Sequence, residues 1–96
     1  MSNKKYVVRS NGSGVWAGEI KERKENSIIM NNARRLWYWN GAASLSQLAQ
    51  EGVKHPKDCK FPCKNNEVEI YNVLEIITMT MQAWDNIEAV PVWEAV

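Results

Sequence analysis

The stretch Asn32-Ala33-Arg34-Arg35-Leu36-Trp37-Tyr38-Trp39-Asn40-Gly41-Ala42-Ala43-Ser44-Leu45-Ser46-Gln47-Leu48-Ala49-Gln50 decides how this chain is read, because its side-chain period changes in the middle. Ala33 to Trp39 is rich in aromatic residues and reads as a strand, whose successive side chains face opposite ways. Past Gly41 the period becomes helical. Ser44 is placed to cap a helix, with Gln47 three residues on as its capping-box partner. Leu45, Leu48 and Ala49 form a short apolar stripe, and Gly52 stands where the helix stops. A helix of about two turns does not persist unaided, so it has to dock on a sheet.

Upstream, Tyr6–Arg9 is a strand ending at the turn Ser10-Asn11-Gly12-Ser13-Gly14. Val15–Lys21 resumes as a strand, with Trp16, Gly18 and Ile20 on one face. A charged turn follows over residues 22–26, then a short strand Ser27–Met30, a second turn at Asn31-Asn32, and the strand Ala33–Trp39. Downstream, Val53–Asn66 is polar, contains Pro56 and Pro62, and reads as a long loop. Glu67–Thr80 is β-like, with Val68, Ile70, Leu74 and Ile76 on one alternating face and Asn72 marking a bulge or a break. Thr80 caps a last helix of about ten residues that buries Ala83, Trp84 and Ile87 and stops at Pro91, ahead of an apolar tail, Val92-Trp93. The expected architecture is α+β: one domain over residues 1–96, a small, mostly antiparallel sheet or partial barrel with one inserted short helix and one C-terminal helix.

The overall charge of +1 hides an asymmetry. All twelve Lys and Arg lie between Lys4 and Lys64, against five acids, a surplus of seven. Residues 65–96 hold six acids and no Lys or Arg. Such a split produces either complementary patches or two parts that interleave and neutralise each other across neighbouring strands. No apolar run approaches the roughly 18 residues of a membrane span, and the N-terminus lacks a signal peptide's apolar stretch, so the expected setting is cytoplasmic. No basic helix suited to a duplex groove is present.

Three consecutive bulky aromatics cannot all enter one core from a strand. Alternation puts Arg35, Trp37 and Trp39 on one face, about 6.6 Å apart at successive same-side positions, and Arg34, Leu36 and Tyr38 on the other. Leu36 and Tyr38 look like the inward side, with the Tyr38 hydroxyl kept near water. The Arg35–Trp37–Trp39 face then combines flat π surfaces with a guanidinium fork, a set that stacks a ring and holds a phosphate. The same residues also suit a subunit interface or a plain core with snorkelling arginines. Asn40 to Ser44 adds small residues and free N–H groups at a helix start. The candidate ligand-binding residues are therefore Arg34, Arg35, Trp37, Trp39, Asn40 and Ser44. The glycine turn at residues 10–14 reads as a tight hairpin connection.

His55, Cys59 and Cys63 recur every four residues. The ligand types suit zinc, but the short gap of common cysteine pairs and a fourth ligand are missing, so no metal is expected. With one histidine, two aspartates and no serine in a nucleophile setting, no catalytic residue or cofactor motif stands out and an enzyme is not expected.

The string NARRLWYWNGAASLSQLAQEGV over residues 32–53, the segment CKFPC over 59–63 and the closing VPVW over 90–93 resemble a family of small proteins encoded in tailed-phage genomes and prophages, a domain of unknown function. The resemblance implies a phage protein acting as an accessory factor in the cytoplasm of a host bacterium. It brings no activity and no catalytic residue with it. Together with the arginine–aromatic face, it leads to the expectation of a non-enzymatic, homo-oligomeric binding module for a small anionic, nucleotide-like ligand, sequestering a host defence signal. The alternative is an interaction module that occludes a host protein with the same aromatic surface.

Overall fold

The computed structural model describes residues 4–95. Its elements follow the order strand β1 (Tyr6–Ser10), β2 (Gly14–Arg23), β3 (Ser27–Arg35), helix α1 (Leu45–Glu51), β4 (Lys64–Tyr71), β5 (Val73–Thr78) and helix α2 (Met81–Glu88), with one 3-10 turn at Pro56–Asp58. The strands form one antiparallel sheet in the order β4-β3-β2-β1-β5. This is an α+β fold with an open sheet and two helices, as the change of period foretells.

β4 and β5 occupy opposite edges of the sheet, although only Asn72 separates them. The sheet must therefore curl until its edges converge at that residue. Asn72 has φ 55, a left-handed conformation that asparagine tolerates better than most residues. Its N–H donates to Asn26 O at 2.9 Å, and its carbonyl accepts from Asn11 N at 2.9 Å, so it joins the two hairpin turns at that end. The break expected at Asn72 is thus a corner. The expected face also needs correcting: Ile70 and Ile76 turn inward while Leu74 is 58% exposed, because β5 bulges there, with Glu75 facing Arg9 and Val73 facing Ser10 so that Leu74 has no partner on β1.

The curl gives the sheet two cores. On one side Val8, Trp16, Ile28, Met30, Ala33 and Ile70 pack together, with Tyr6, Ile20 and Ile76 against them. On the other, Val7, Ala17 and Leu36 meet Leu48 and Ala49 of α1, Ala83, Trp84 and Ile87 of α2, and Phe61. Adjacent residues such as Val7 and Val8, or Trp16 and Ala17, serve opposite cores, as strand alternation requires.

α1 forms as expected. The Ser44 hydroxyl accepts from Gln47 N at 3.1 Å, and the Gln47 side-chain oxygen accepts from Ala43 N at 2.7 Å. Gly52 closes the helix, donating to Gln47 O and Leu48 O. α2 is shorter than expected and ends at Glu88, with Thr80 as its cap. Thr80 also fastens it to α1, donating its hydroxyl to Gln50 O at 2.7 Å, while the Asn86 amide bonds both N–H and C=O of Val53. Among the described residues no helix is long and apolar enough to cross a membrane.

Two expectations around the central stretch fail. Asn31-Asn32 is not a turn, since β3 runs through it from Ser27 to Arg35. Asn32, with φ 50, is instead a bulge: Ala17 faces Arg34 while Glu19 faces Asn31, so one residue of β2, Gly18, opposes two of β3. A Cβ on Gly18 would lie 2.8 Å from Ala33 Cα, which is why a glycine sits there. The strand expected to continue to Trp39 stops at Arg35. Leu36 N makes one further bond to Val15 O, and beyond it a single bridge pairs Tyr38 with Lys60. The expected loop over 53–66 is shorter and better anchored than its polarity suggests, because Phe61 is wholly buried and β4 starts at Lys64.

The charge asymmetry resolves by interleaving. Arg9–Glu75, Lys21–Glu67, Lys24–Glu69 and Lys64–Glu88 each join the basic part to the acidic part, at 2.8–3.9 Å. These pairs are solvent-exposed, so each contributes at most about 1 kcal/mol. They neutralise charge locally more than they add stability.

Candidate functional site

The structure separates the six candidate residues into fold-bearing and surface groups. Arg34 is 2% exposed and bonds three carbonyls: Nε to Pro62 O at 2.9 Å, Nη1 to Ile87 O at 2.8 Å and Nη2 to Phe61 O at 3.0 Å. It closes the end of α2 and the 61–62 segment onto β3, and its guanidinium also lies over the Phe61 ring at 5.5 Å. Burial pulls it below its ordinary pKa, and the Glu88 carboxylate opposes that shift. Arg34 is therefore a structural strut with no donor facing a ligand pocket. Ser44 is likewise engaged, as the cap of α1.

Arg35 behaves differently. Its register partner on β2 is Trp16, and its guanidinium stacks over the Trp16 ring at 4.5 Å. Trp16 is buried and donates its indole N–H to Ser13 O at 2.9 Å, which locks the 10–14 turn against the same ring. Among the described residues Arg35 has no carboxylate partner. A stacked guanidinium keeps its N–H edge free, and cation–π attraction of roughly 0.5–2 kcal/mol holds its plane in place.

Beside it lies a cavity of about 230 Å³ lined by Gly12, Ser13, Gly14, Arg35, Trp37 and Trp39, with Val15 and Leu36 at its base. Trp37 is 60% exposed, and Trp39 packs partly against the helix-side core. Three of the expected residues therefore converge, and they do so with the glycine turn, which sequence reasoning set aside as a hairpin connection. What the sequence does hold is the spacing that pairs Trp16 with Arg35 once the two strands are aligned.

The expected facing of the aromatics needs two corrections: Trp39, expected outward with Arg35 and Trp37, packs partly against the same helix-side core as Leu36. Leu36 is buried as foreseen, but Tyr38 is 50% exposed. Alternation fails as a guide once the backbone leaves the ladder. Residues 40 and 41 are instead held by the loop opposite: Lys54 N donates to Gly41 O and His55 N to Asn40 O. Gly41 has φ +100, and a Cβ there would meet Lys54 N at 2.5 Å. Asn40 does not line this cavity, and its backbone N–H donates to Cys59 Sγ at 3.4 Å.

The Cys59 thiol is turned into this loop, 3.4 Å from His55 O, and burial raises its pKa. Cys63 is exposed. Among the described residues no group of three His, Cys, Asp or Glu side chains comes together as a metal site would require.

The fold and site define a small α+β domain that presents an arginine–tryptophan cleft beside a glycine turn. Residues 3–87 match the family described as a domain of unknown function (DUF6948), and the chain belongs to that family. No curated protein and no solved structure matches it.

Proposed function

We propose that the chain is a non-enzymatic binding module whose cleft receives a small anionic ligand carrying a flat ring. The observation that carries this reading is the pre-positioned Arg35, stacked on Trp16 at the rim of a cavity walled by Trp37 and Trp39. The ring stacks on tryptophan, and the anion takes the guanidinium edge and the backbone of the glycine turn. At about 230 Å³ the cavity is smaller than the roughly 300–1,000 Å³ of drug-sized sites, which favours one base or a comparable ring over a dinucleotide cofactor.

The resemblance to phage-encoded proteins extends this to an accessory role in the cytoplasm of an infected bacterium, with a host nucleotide signal as the sequestered ligand. A homo-oligomer with the cleft at a subunit boundary, and a sheet curled into a partial barrel, belong to the same reading. Titration of tryptophan fluorescence with a panel of nucleoside mono- and diphosphates tests it. Saturable quenching is expected, with Arg35→Ala weakening it about tenfold or more, since charge-assisted bonds contribute about 1.5–3 kcal/mol. Absence of saturable quenching across the panel rejects it.

The second reading, occlusion of a host protein, is favoured by the exposure of Trp37, Tyr38 and Trp93, residue types that dominate interface energetics. It predicts one specific host protein retained by the tagged chain and lost with Trp37→Ala.

A further inference from the structure

A second aromatic basin lies across the Leu36–Asn40 segment from the cleft. Its volume is about 500 Å³, and Tyr38, Lys57, Asp58, Lys60 and Trp93 line it. Tyr38 and Trp93 are 50% and 46% exposed, and the Lys60 ammonium sits over the Trp93 ring at 5.5 Å. The basin is built: the Tyr38 and Lys60 backbones bond each other in both directions at 3.3 and 2.8 Å, and Trp93 N donates to Phe61 O at 3.0 Å. The aromatic rings are therefore carried on backbone pinned to the wholly buried Phe61.

The charge left over after ion pairing collects at the same place. Among the described residues, the cations that have neither a carboxylate partner nor a buried role are Lys4, Arg23, Arg35, Lys54, Lys57 and Lys60. Four of these six flank the Leu36–Asn40 segment or stand on the loop that holds it. Asp58 is the one acid lining either cavity, so the two together keep a positive surplus. Stacking faces that one short segment contributes to two cavities, each lined by cations without a carboxylate partner, form the arrangement by which proteins hold single-stranded nucleic acid. The aromatic faces take bases of any sequence, and the cations follow the backbone. A free mononucleotide fills only one side.

We infer that the cleft and the Tyr38–Lys60–Trp93 basin are two halves of one site, and that the anionic ligand is a short single strand of DNA or RNA laid across the Leu36–Asn40 segment. This rests on the ligand-binding reading above and names its substrate class. One base stacks at Trp37 beside Arg35, another between Tyr38 and Trp93, and phosphates between them meet Arg35, Lys57 and Lys60.

Fluorescence anisotropy with labelled hexanucleotides of deoxythymidine and of uridine, competed by the corresponding mononucleotides, tests it on the full chain. The expected result is hexanucleotide affinity at least about tenfold above the mononucleotide, with Tyr38→Ala and Trp93→Ala each removing about tenfold of it. Tyr38→Ala and Trp93→Ala should leave mononucleotide binding at the cleft and the thermal melt unchanged, because both side chains are half-exposed. Joint replacement of Lys57 and Lys60 by Ala should flatten the salt dependence by about one to two phosphate contacts. If mononucleotides bind and hexanucleotides bind no tighter, the two-sided site is wrong and the cleft reading stands. If neither binds, both readings fall and a protein partner takes their place.

Discussion

Arg34 and Arg35 are neighbours in the chain and opposites in the fold. Arg34 points to the helix side of the sheet, where the 61–62 segment and the end of α2 supply three carbonyls and exclude water. Arg35 points to the other side, at the rim, where it stacks on the face of Trp16 beside the cleft. The same side chain is thus a strut in one place and a stacked guanidinium without a carboxylate partner in the next, one residue away. The contrast extends along the chain. Up to Arg35 the backbone is held on both sides by β2 and β4, and its side chains are largely buried; beyond Leu36 one bridge remains and the aromatics emerge. Exposed aromatic surface begins where ladder pairing ends.

The largest expected effect tests the strut. Arg34→Ala takes the donor from the Pro62 carbonyl, strips one of the donors from those of Phe61 and Ile87 and leaves a buried gap, and should destabilise the fold by about 3–5 kcal/mol, read by urea denaturation. Arg34→Lys, a point charge without the fork, should recover only part of that loss. Next comes the bulge that sets the register between Trp16 and Arg35. Gly18→Ala forces its Cβ onto the β3 backbone and should cost about 1–3 kcal/mol while lowering ligand affinity, since Arg35 shifts from its ring. On the open side, Trp37→Ala should change stability by less than about 0.5 kcal/mol and yet abolish most of the quenching response. A large stability loss from Trp37→Ala would make the segment core and break the comparison.

Two smaller effects sharpen it. Native alkylation should modify exposed Cys63 and spare Cys59, whose burial disfavours the thiolate, as intact mass and peptide mapping would report. At the far edge of the sheet, the Ser27 hydroxyl and then Lys24 hold the Glu69 carboxyl below its ordinary value of 4.5. A lowered carboxylate contributes stability that is complete above that ordinary value and is lost as pH falls through the lowered one. Ser27→Ala should therefore move the Glu69 titration upward, measured by NMR, and narrow the pH range of stability on the acid side.

Much of this was legible in the sequence where local chemistry rules. Ser44, Gln47 and Gly52 mark α1 because caps and stops act within one turn. Ala83, Trp84 and Ile87 mark the buried face of α2 by their spacing, and Asn72 marks the corner because few other residues accept its backbone angle. Failures arise where distant segments decide. Asn31-Asn32 looks like a turn until Gly18 of the neighbouring strand is seen to accommodate the bulge. Tyr38 looks inward until the strand is seen to end three residues earlier, at Arg35. Phe61, the one phenylalanine of the chain, sits among polar residues and gives no periodic signal, yet it anchors the loop to the helix-side core.

For the site, the sequence alone determined that arginine and tryptophan are concentrated between residues 34 and 39 and that not all of them can be core. That follows from side-chain size and strand alternation. Only the tertiary structure decided that Arg34 is spent on carbonyls of residues far along the chain, and that Arg35 is stacked and available. It alone brought the glycine turn to the cleft, and Trp93 to Tyr38. Partners in a fold are chosen by packing between segments remote in sequence, and no local pattern encodes which of two adjacent arginines will meet them.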